Sequence, residues 1–425
     1  MGAILLRNIT VAGSPKDVLI TKGRFERIEP AGSSVAWELA GDVEIMDCTG
    51  KVAIPGFINM HTHAAMSLMR GIGEDMVFQD WIKKIWEVEE NIDEEYVYLA
   101  TKVACVEMIR TGTTTFNDQY WHFEASRRAA QELGVRIASG YDIMDRFDPE
   151  AAVRVREECV EATDAALGKW GDGSIYQLAF HAIYTVSEPT ILWASEYARA
   201  KGLNLHIHLS ETRKEVEDCK EVHAGLTPVE YLDSLGVLGP EIIAAHTLWL
   251  TPHDVEILAA RGVHCVHNIN SNSKLSSGYR FLYNELRDAG ANICIGTDGC
   301  ASSNNLDMLE AMKTSAIFQK AWRDDPSALP LPELLDMATI NGAKALGIDS
   351  GRIEQGAIAD LNIVETDNSF FLSPAPFLAN LVYSAHSDCI DSVICGGKFV
   401  MRHREIPGEK EILAEARKAI TKLTV

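Results

Sequence analysis

Between Gly56 and Gly299 the chain repeats one pattern eight times: a short apolar run rich in β-branched residues, then a longer stretch of helical periodicity with an Ala, Glu, Lys and Arg face. The predicted strands are Gly56 to His63, Thr113 to Asp118, Arg136 to Asp142, Ile175 to Ile183, Leu203 to Glu211, Ile242 to Leu250, Val263 to Asn270 and Asn292 to Asp298. Strands this apolar need cover on both faces, which points to a (β/α)8 TIM barrel more than to an open doubly wound sheet. No Gly-rich phosphate loop follows the first run, as an open nucleotide-binding sheet would carry.

The two ends differ from this middle. Residues 1–55 alternate apolar and polar around turn signals such as Lys22-Gly23 and Thr49-Gly50, and Ala359 to Val364 with Val393 to Met401 do the same. Neither segment alone can bury a core, so a small β-sandwich built from both termini is expected: 1–55 with 357–425, flanking a catalytic barrel over 56–356. Glu409 to Leu423 reads as a closing amphipathic helix.

Composition excludes several functions. Acidic residues outnumber basic ones 61 to 39, a formal charge of −22. That is the wrong sign for neutralising phosphates, so no nucleic-acid partner is expected. No apolar stretch approaches the roughly 18 residues of a membrane span, and a cytoplasmic location without membrane contact is expected. The nine cysteines form no Cys-x-x-Cys pair, so they read as reduced, buried thiols and not as a disulfide framework or thiolate metal site.

Barrel enzymes place their chemistry at the carboxyl ends of strands. Ligand-type residues gather there: His61 and His63, Asp118, His181, His208 with Glu211, His246, His267 with Asn268, and Asp298. The i, i+2 spacing of His61 and His63 points both imidazoles to one side of a strand. Three imidazoles and a carboxylate suit one divalent ion per subunit, Zn²⁺ first, with Fe²⁺ or Mn²⁺ as possible occupants. Such an ion brings the pKa of its water from 15.7 toward about 7. His206 forms a second His-x-His with His208, and one of these two reads as a packed or supporting histidine. Glu211 reads either as a proton shuttle or as the first acid of the next helix, beside a Thr212-Arg213-Lys214-Glu215 stretch expected to be solvated. Asp118 reads as a supporting or a purely structural acid. His122, His223, His253, His264, His386 and His403 are assigned to surface, packing or loops.

Pro55-Gly56-Phe57-Ile58-Asn59-Met60-His61-Thr62-His63, His208-Leu209-Ser210-Glu211, Ala245-His246 and Gly296-Thr297-Asp298-Gly299-Cys300-Ala301-Ser302 together resemble the amidohydrolase superfamily over nearly the whole chain. Within it the chain looks like the branch of methylthioadenosine/S-adenosylhomocysteine deaminases and triazine chlorohydrolases. His181-Ala182-Ile183-Tyr184 is similar to that branch's His-Ala-Pro-Tyr segment, with Ile183 where proline is usual.

The resemblance implies a mononuclear site with His61, His63, His208 and Asp298 as ligands, since no lysine ends a middle strand to bridge a second ion. It implies Glu211 as proton shuttle, His246 as the group that orients the attacking water or developing oxyanion, and Asp298 as acceptor of the water's proton. The implied reaction is hydrolytic deamination of adenosine-type nucleosides: methylthioadenosine, 5'-deoxyadenosine, S-adenosylhomocysteine or adenosine. Glu89 would take the ribose hydroxyls and His181 the purine, with Trp81 and Arg146 as further substrate contacts. Glu89 also lies in an acidic run, Glu87, Glu89, Glu90, Glu94 and Glu95, that reads equally as a solvated face. A guanine- or pterin-type deaminase and a heteroaromatic chlorohydrolase are the alternatives, and a non-catalytic scaffold a remote one. A homo-oligomer, dimer or tetramer, is expected.

Overall fold

The structure is a computed structural model that describes residues 2–37, 42–171 and 173–420. Its centre is a run of parallel strands in chain order: Phe57–Thr62, Thr113–Asp118, Arg136–Ser139 continued by Asp142–Ile143, Ile175–Tyr176 continued by Leu178–Phe180, Leu205–Leu209, Ile242–His246, His264–His267 and Asn292–Ile295. Nearly every side chain in them is buried, as strands covered on both faces require.

The third and fourth strands break at the same level. The ladder crosses that break through the Gln177 N–H to Ser139 O bond, 3.1 Å, and the Ala179 N–H to Tyr141 O bond, 3.0 Å. Gly140 permits the close approach, because a Cβ there would fall onto the carbonyl oxygen of Gln177. At the other end of the run the Asp298 N–H donates to His61 O at 2.9 Å, so the eighth strand's exit meets the first strand.

Most of the observed strands stop short of the expected carboxyl ends, and the cause is local. Ser210, His246 and Asp298 have φ of 52°, 72° and 63°, so the backbone leaves the ladder just where the polar residues begin. The connecting helices start and stop on local signals. Thr227 and Thr251 form capping boxes with Glu230 and Asp254, each followed by proline, and Gly202, Gly262 and Gly347 end helices in the left-handed region.

The termini share one hydrogen-bonded sheet. Lys51–Pro55 pairs antiparallel with Leu361–Glu365, which joins Ala3–Val11, Ser14–Thr21 and Arg24–Pro30 on one side to Ile390–Cys395 and Lys398–Met401 on the other. Leu6, Ile9, Ile20, Phe25, Ile363 and Ile394 make its own core. The closing helix runs Glu409–Ala419 and is tied back by the Arg110 Nε to Glu409 Oε1 hydrogen bond, 2.8 Å. The expected extension to Leu423 lies outside the described residues. Among the described residues no helix is long and apolar enough to cross a membrane.

Candidate active site

His61, on the first strand, and His63, just past its end, project to one side together with His208 of the fifth strand. The ligand-type atoms of His61, His63 and His208 lie within 4.8 Å of one another, as do those of His61, His246 and Asp298. Asp298 Oδ1 is 3.4 Å from His61 Nε2 and 3.3 Å from His63 Nε2, and the Nε2 atoms of His63 and His208 are 3.3 Å apart.

The outer nitrogens of these rings are engaged. His63 Nδ1 donates to Gln119 O at 2.6 Å and His208 Nδ1 to His181 O at 2.9 Å. His61 Nδ1 meets His206 Nε2 at 3.0 Å. Each Nδ1–H so used leaves an Nε2 lone pair facing inward, and the buried His61 Nε2 has no hydrogen-bond partner. Three lone pairs and a carboxylate converging in a buried space repel one another without a cation, so the donor set fits one divalent ion.

Two further acids are set by their surroundings. Burial acts to raise Asp298, but the imidazoles of His61, His63 and His246 around it hold its carboxyl well below the usual range. Ser271 Oγ and the Gly299 N–H donate to its two oxygens at 2.6 and 2.8 Å. Glu211 is shifted the other way, well above the usual range, by burial first and then by the charges of Asp298 and Glu215. The two carboxyls are shifted in opposite directions, the kind of difference an acid–base pair needs.

The structure corrects the view of Glu211 and Glu215 as a solvated helix start. Both are 5% exposed. Glu215 bends back to accept from the Ser210 and Glu211 N–H groups at 2.8 and 2.7 Å, which fixes the left-handed turn that presents Glu211. Burial, opposed by those backbone bonds, raises the Glu215 carboxyl to about 7. Asp118 supports the first strand's exit, accepting from Thr62 Oγ1 at 3.0 Å and the Ala64 N–H at 2.7 Å on either side of His63.

His246 stands 3.8 Å from Glu211, Nε2 to Oε2. The Asn272 amide donates to its Nδ1 at 3.0 Å, so the ring carries its proton on Nε2 and faces the site as a donor. Burial pushes its pKa down to about 3, which keeps the ring neutral. His181 has the opposite tautomer. The Thr185 hydroxyl donates to Ala182 O at 3.1 Å and accepts from His181 Nδ1 at 2.9 Å, leaving the Nε2 lone pair free.

These groups open into a cavity roofed by the Phe78–Glu89 helix. Trp81 and Glu89 line it beside His63, His181, His208, Glu211, His246 and Asp298. The acidic run is thereby sorted: Glu89 turns inward to accept from Tyr120 Oη at 2.8 Å, while Glu87, Glu90, Glu94 and Glu95 are exposed. Burial raises its carboxyl. Arg146 is exposed and does not line the cavity; its guanidinium sits over the Trp86 ring at 5.4 Å, at the rim. The sequence reading missed Gln119, Tyr120, Trp121, Asp142, Met144 and Tyr184 in the wall. The clue available for Asp142 was its place at the end of the third strand. Burial raises that carboxyl to about 6, against the Gln119 hydrogen bond.

The model of the amidohydrolase family matches residues 52–400. A 5'-deoxyadenosine deaminase of Methanoregula boonei is 43% identical, over 99% of this chain and 95% of its own. A 5-methylthioadenosine/S-adenosylhomocysteine deaminase of Archaeoglobus fulgidus is 39% identical, over 98% and 97%. Among solved structures, an adenosine deaminase from Xanthomonas campestris with bound zinc superposes with a TM-score of 0.91 at 29% identity, covering 99% of this chain and 98% of that one.

Proposed function

The chain belongs to the amidohydrolase family, and from that premise we propose that it is a hydrolytic deaminase of adenosine-type nucleosides, releasing ammonia from 5'-deoxyadenosine, methylthioadenosine, S-adenosylhomocysteine or adenosine. The observation that carries the reading is a cation-fitting cluster of imidazoles with Asp298, sharing one cavity with the buried Glu211, whose carboxyl is shifted up while that of Asp298 is shifted down. Full-length identity of 38–43% to several proteins named as deaminases of 5'-deoxyadenosine or methylthioadenosine supports the leaving group. The chlorohydrolase alternative rests on structures 20–21% identical, a likeness of fold alone.

His61, His63, His208 and Asp298 are the residues that would hold one ion, and the zinc of the Xanthomonas campestris structure favours zinc. Bound there, it supplies a Lewis acid that brings the pKa of water toward about 7. Asp298 accepts the proton of the attacking water as a C–O bond forms at the purine carbon bearing the amino group. His246 donates from Nε2 to the oxygen on which charge develops. Glu211 delivers its proton to the leaving nitrogen as the C–N bond breaks, and ammonia departs. His181 lies against the purine, Glu89 accepts from the ribose, Trp81 covers the bound nucleoside, and Arg146 approaches it only from the rim.

The same reading takes the eight parallel strands as a closed barrel over 56–356, with residues 1–55 and 357–425 as a composite β-sandwich. The Asp298-to-His61 backbone bond and the pairing of Lys51–Pro55 with Leu361–Glu365 support it. It also includes a homo-oligomer, dimer or tetramer, which sedimentation tests. For the activity, the test is ammonia release from a panel of nucleosides, purine bases, pterins and chlorotriazines by zinc-loaded protein. Turnover of adenosine-type nucleosides is expected. Faster turnover of free bases or pterins, or chloride release without ammonia, overturns the reading.

A further inference from the structure

Among the described residues four carboxylates line the cavity, Glu89, Asp142, Glu211 and Asp298, and no lysine or arginine does. Glu211 and Asp298 belong to the catalytic end. That leaves Glu89 and Asp142 as the charged hydrogen-bond acceptors of the remaining wall, and the mechanism above uses only Glu89.

Each already accepts one side-chain hydrogen bond on one oxygen. Glu89 Oε1 accepts from Tyr120 Oη at 2.8 Å. Asp142 Oδ1 accepts from the Gln119 amide at 2.9 Å, and its Oδ2 is neither paired nor sealed off. An ionised carboxylate has about four lone-pair sites, so each of the two can take a further donor, and on Asp142 one whole oxygen is unused. Its placement is fixed on two sides. Beyond the break at Gly140, Asp142 pairs with Ala179 in the ladder. Gln119, which holds it, also accepts His63 Nδ1 through its backbone oxygen, so Asp142 keeps a set distance from the imidazole cluster.

We propose that Asp142 is a substrate-binding, specificity-determining residue: Glu89 and Asp142 divide the two ribose hydroxyls between them, one hydroxyl donating to each carboxylate. This rests on the nucleoside-deaminase reading, and the cavity offers the sugar a carboxylate pair in place of a single clamp.

The test is kcat/KM for adenosine, 2'-deoxyadenosine and 3'-deoxyadenosine with wild type, Asp142→Asn, Asp142→Ala and Glu89→Gln, with zinc content measured on each. In Asp142→Asn, adenosine should lose at least about tenfold, carried by KM, while the analogue lacking the hydroxyl that Asp142 accepts should change within about twofold. Zinc content should stay at the wild-type level. Glu89→Gln should keep its preference for the hydroxyl read by Asp142 and lose the other, a readout independent of whether the Asp142 variants fold. Loss of discrimination at both hydroxyls in Glu89→Gln, or an equal loss on all three substrates in the Asp142 variants, overturns the proposal and leaves the deaminase reading standing. A wild type inactive on every nucleoside overturns both.

Discussion

His206 stands directly behind His61, its Nε2 3.0 Å from the His61 Nδ1, while its own Nδ1 is buried without a partner. The two members of the fifth strand's His-x-His therefore do different jobs. His208 faces His63 across the cluster, and His206 fixes the ring of the neighbouring histidine from outside. Removing an outer partner of a metal-ligating imidazole costs about 10- to 100-fold in metal affinity. His206→Ala should weaken zinc binding by that order while leaving the fold intact, as competition with a fluorescent chelator would measure. Unchanged affinity would return His206 to a packing role.

Metal removal should abolish turnover, and one equivalent of zinc per chain should restore it. A site that binds only the folded state also stabilises it, by about 2.7 kcal/mol at a free ion concentration 100 times Kd. The melting temperature should thus fall on chelation and recover with zinc. Two equivalents needed for activity would contradict the mononuclear arrangement.

In the proposed mechanism Glu211 acts as an acid only while protonated, and its carboxyl is held well above the usual range by burial, with Asp298 and Glu215 adding to the shift. The sign follows directly: turnover is full below that pKa and falls as pH rises through it. Glu211→Gln should retain zinc and fold, lose on the order of 10²- to 10⁴-fold in kcat, and lose this alkaline limb. His246, neutral because burial takes it down to about 3, should add no limb between pH 5 and 8.

The candidate metal cluster was legible because its residues sit at strand ends, where spacing in sequence and position in space are tied: His61 and His63 share a face whichever way the barrel is packed. The cavity wall obeys no such rule. Tyr120 and Tyr184 follow the second and fourth strands and Asp142 ends the third, and they meet only because those strands are neighbours in the parallel run. Glu215 misled for a physical reason. An acid three residues after a Thr cap looks like a solvated helix start, yet the left-handed Ser210 turns two backbone N–H groups toward it and draws it inside. The eight strands were plain from their apolar runs, but most of their carboxyl ends were placed too far along, since positive φ at Ser210, His246 and Asp298 is invisible to periodicity.

Gly140 is the position where a small change should do most harm to the frame. Its Cβ would collide with backbone, the Gln177 carbonyl, which cannot swing aside as a side chain can. Gly140→Ala should cost about 1–3 kcal/mol or more by forced displacement. Because Asp142 lies two residues on and pairs with Ala179, KM for the nucleoside should rise as well. Denaturant titration and steady-state kinetics check the two effects. A variant as stable and as active as wild type would mean that the third and fourth strands can slide apart at no cost.

The last prediction is that the enzyme prefers ribonucleosides to free bases, and that Glu89 contributes much of the preference. Its carboxylate lies in the cavity wall on the last residue of the roofing helix, held by Tyr120 at 2.8 Å, so it meets the sugar already oriented. A charge-assisted hydrogen bond in such a place contributes roughly 1.5–3 kcal/mol. A free base makes none of it and leaves the carboxylate desolvated and short of a donor, which adds to the discrimination. Glu89→Ala should therefore cut kcat/KM for adenosine and 5'-deoxyadenosine by about 10- to 100-fold while adenine, if turned over at all, changes little. The 5' position should be read less strictly. Arg146 is at the rim over Trp86 and no lysine or arginine among the described residues lines the cavity, so compact 5' groups should react at least as well as the charged homocysteine tail of S-adenosylhomocysteine. Adenine outrunning every nucleoside in wild type would remove the nucleoside assignment, whereas an unchanged nucleoside preference in Glu89→Ala would remove only the role given to this residue.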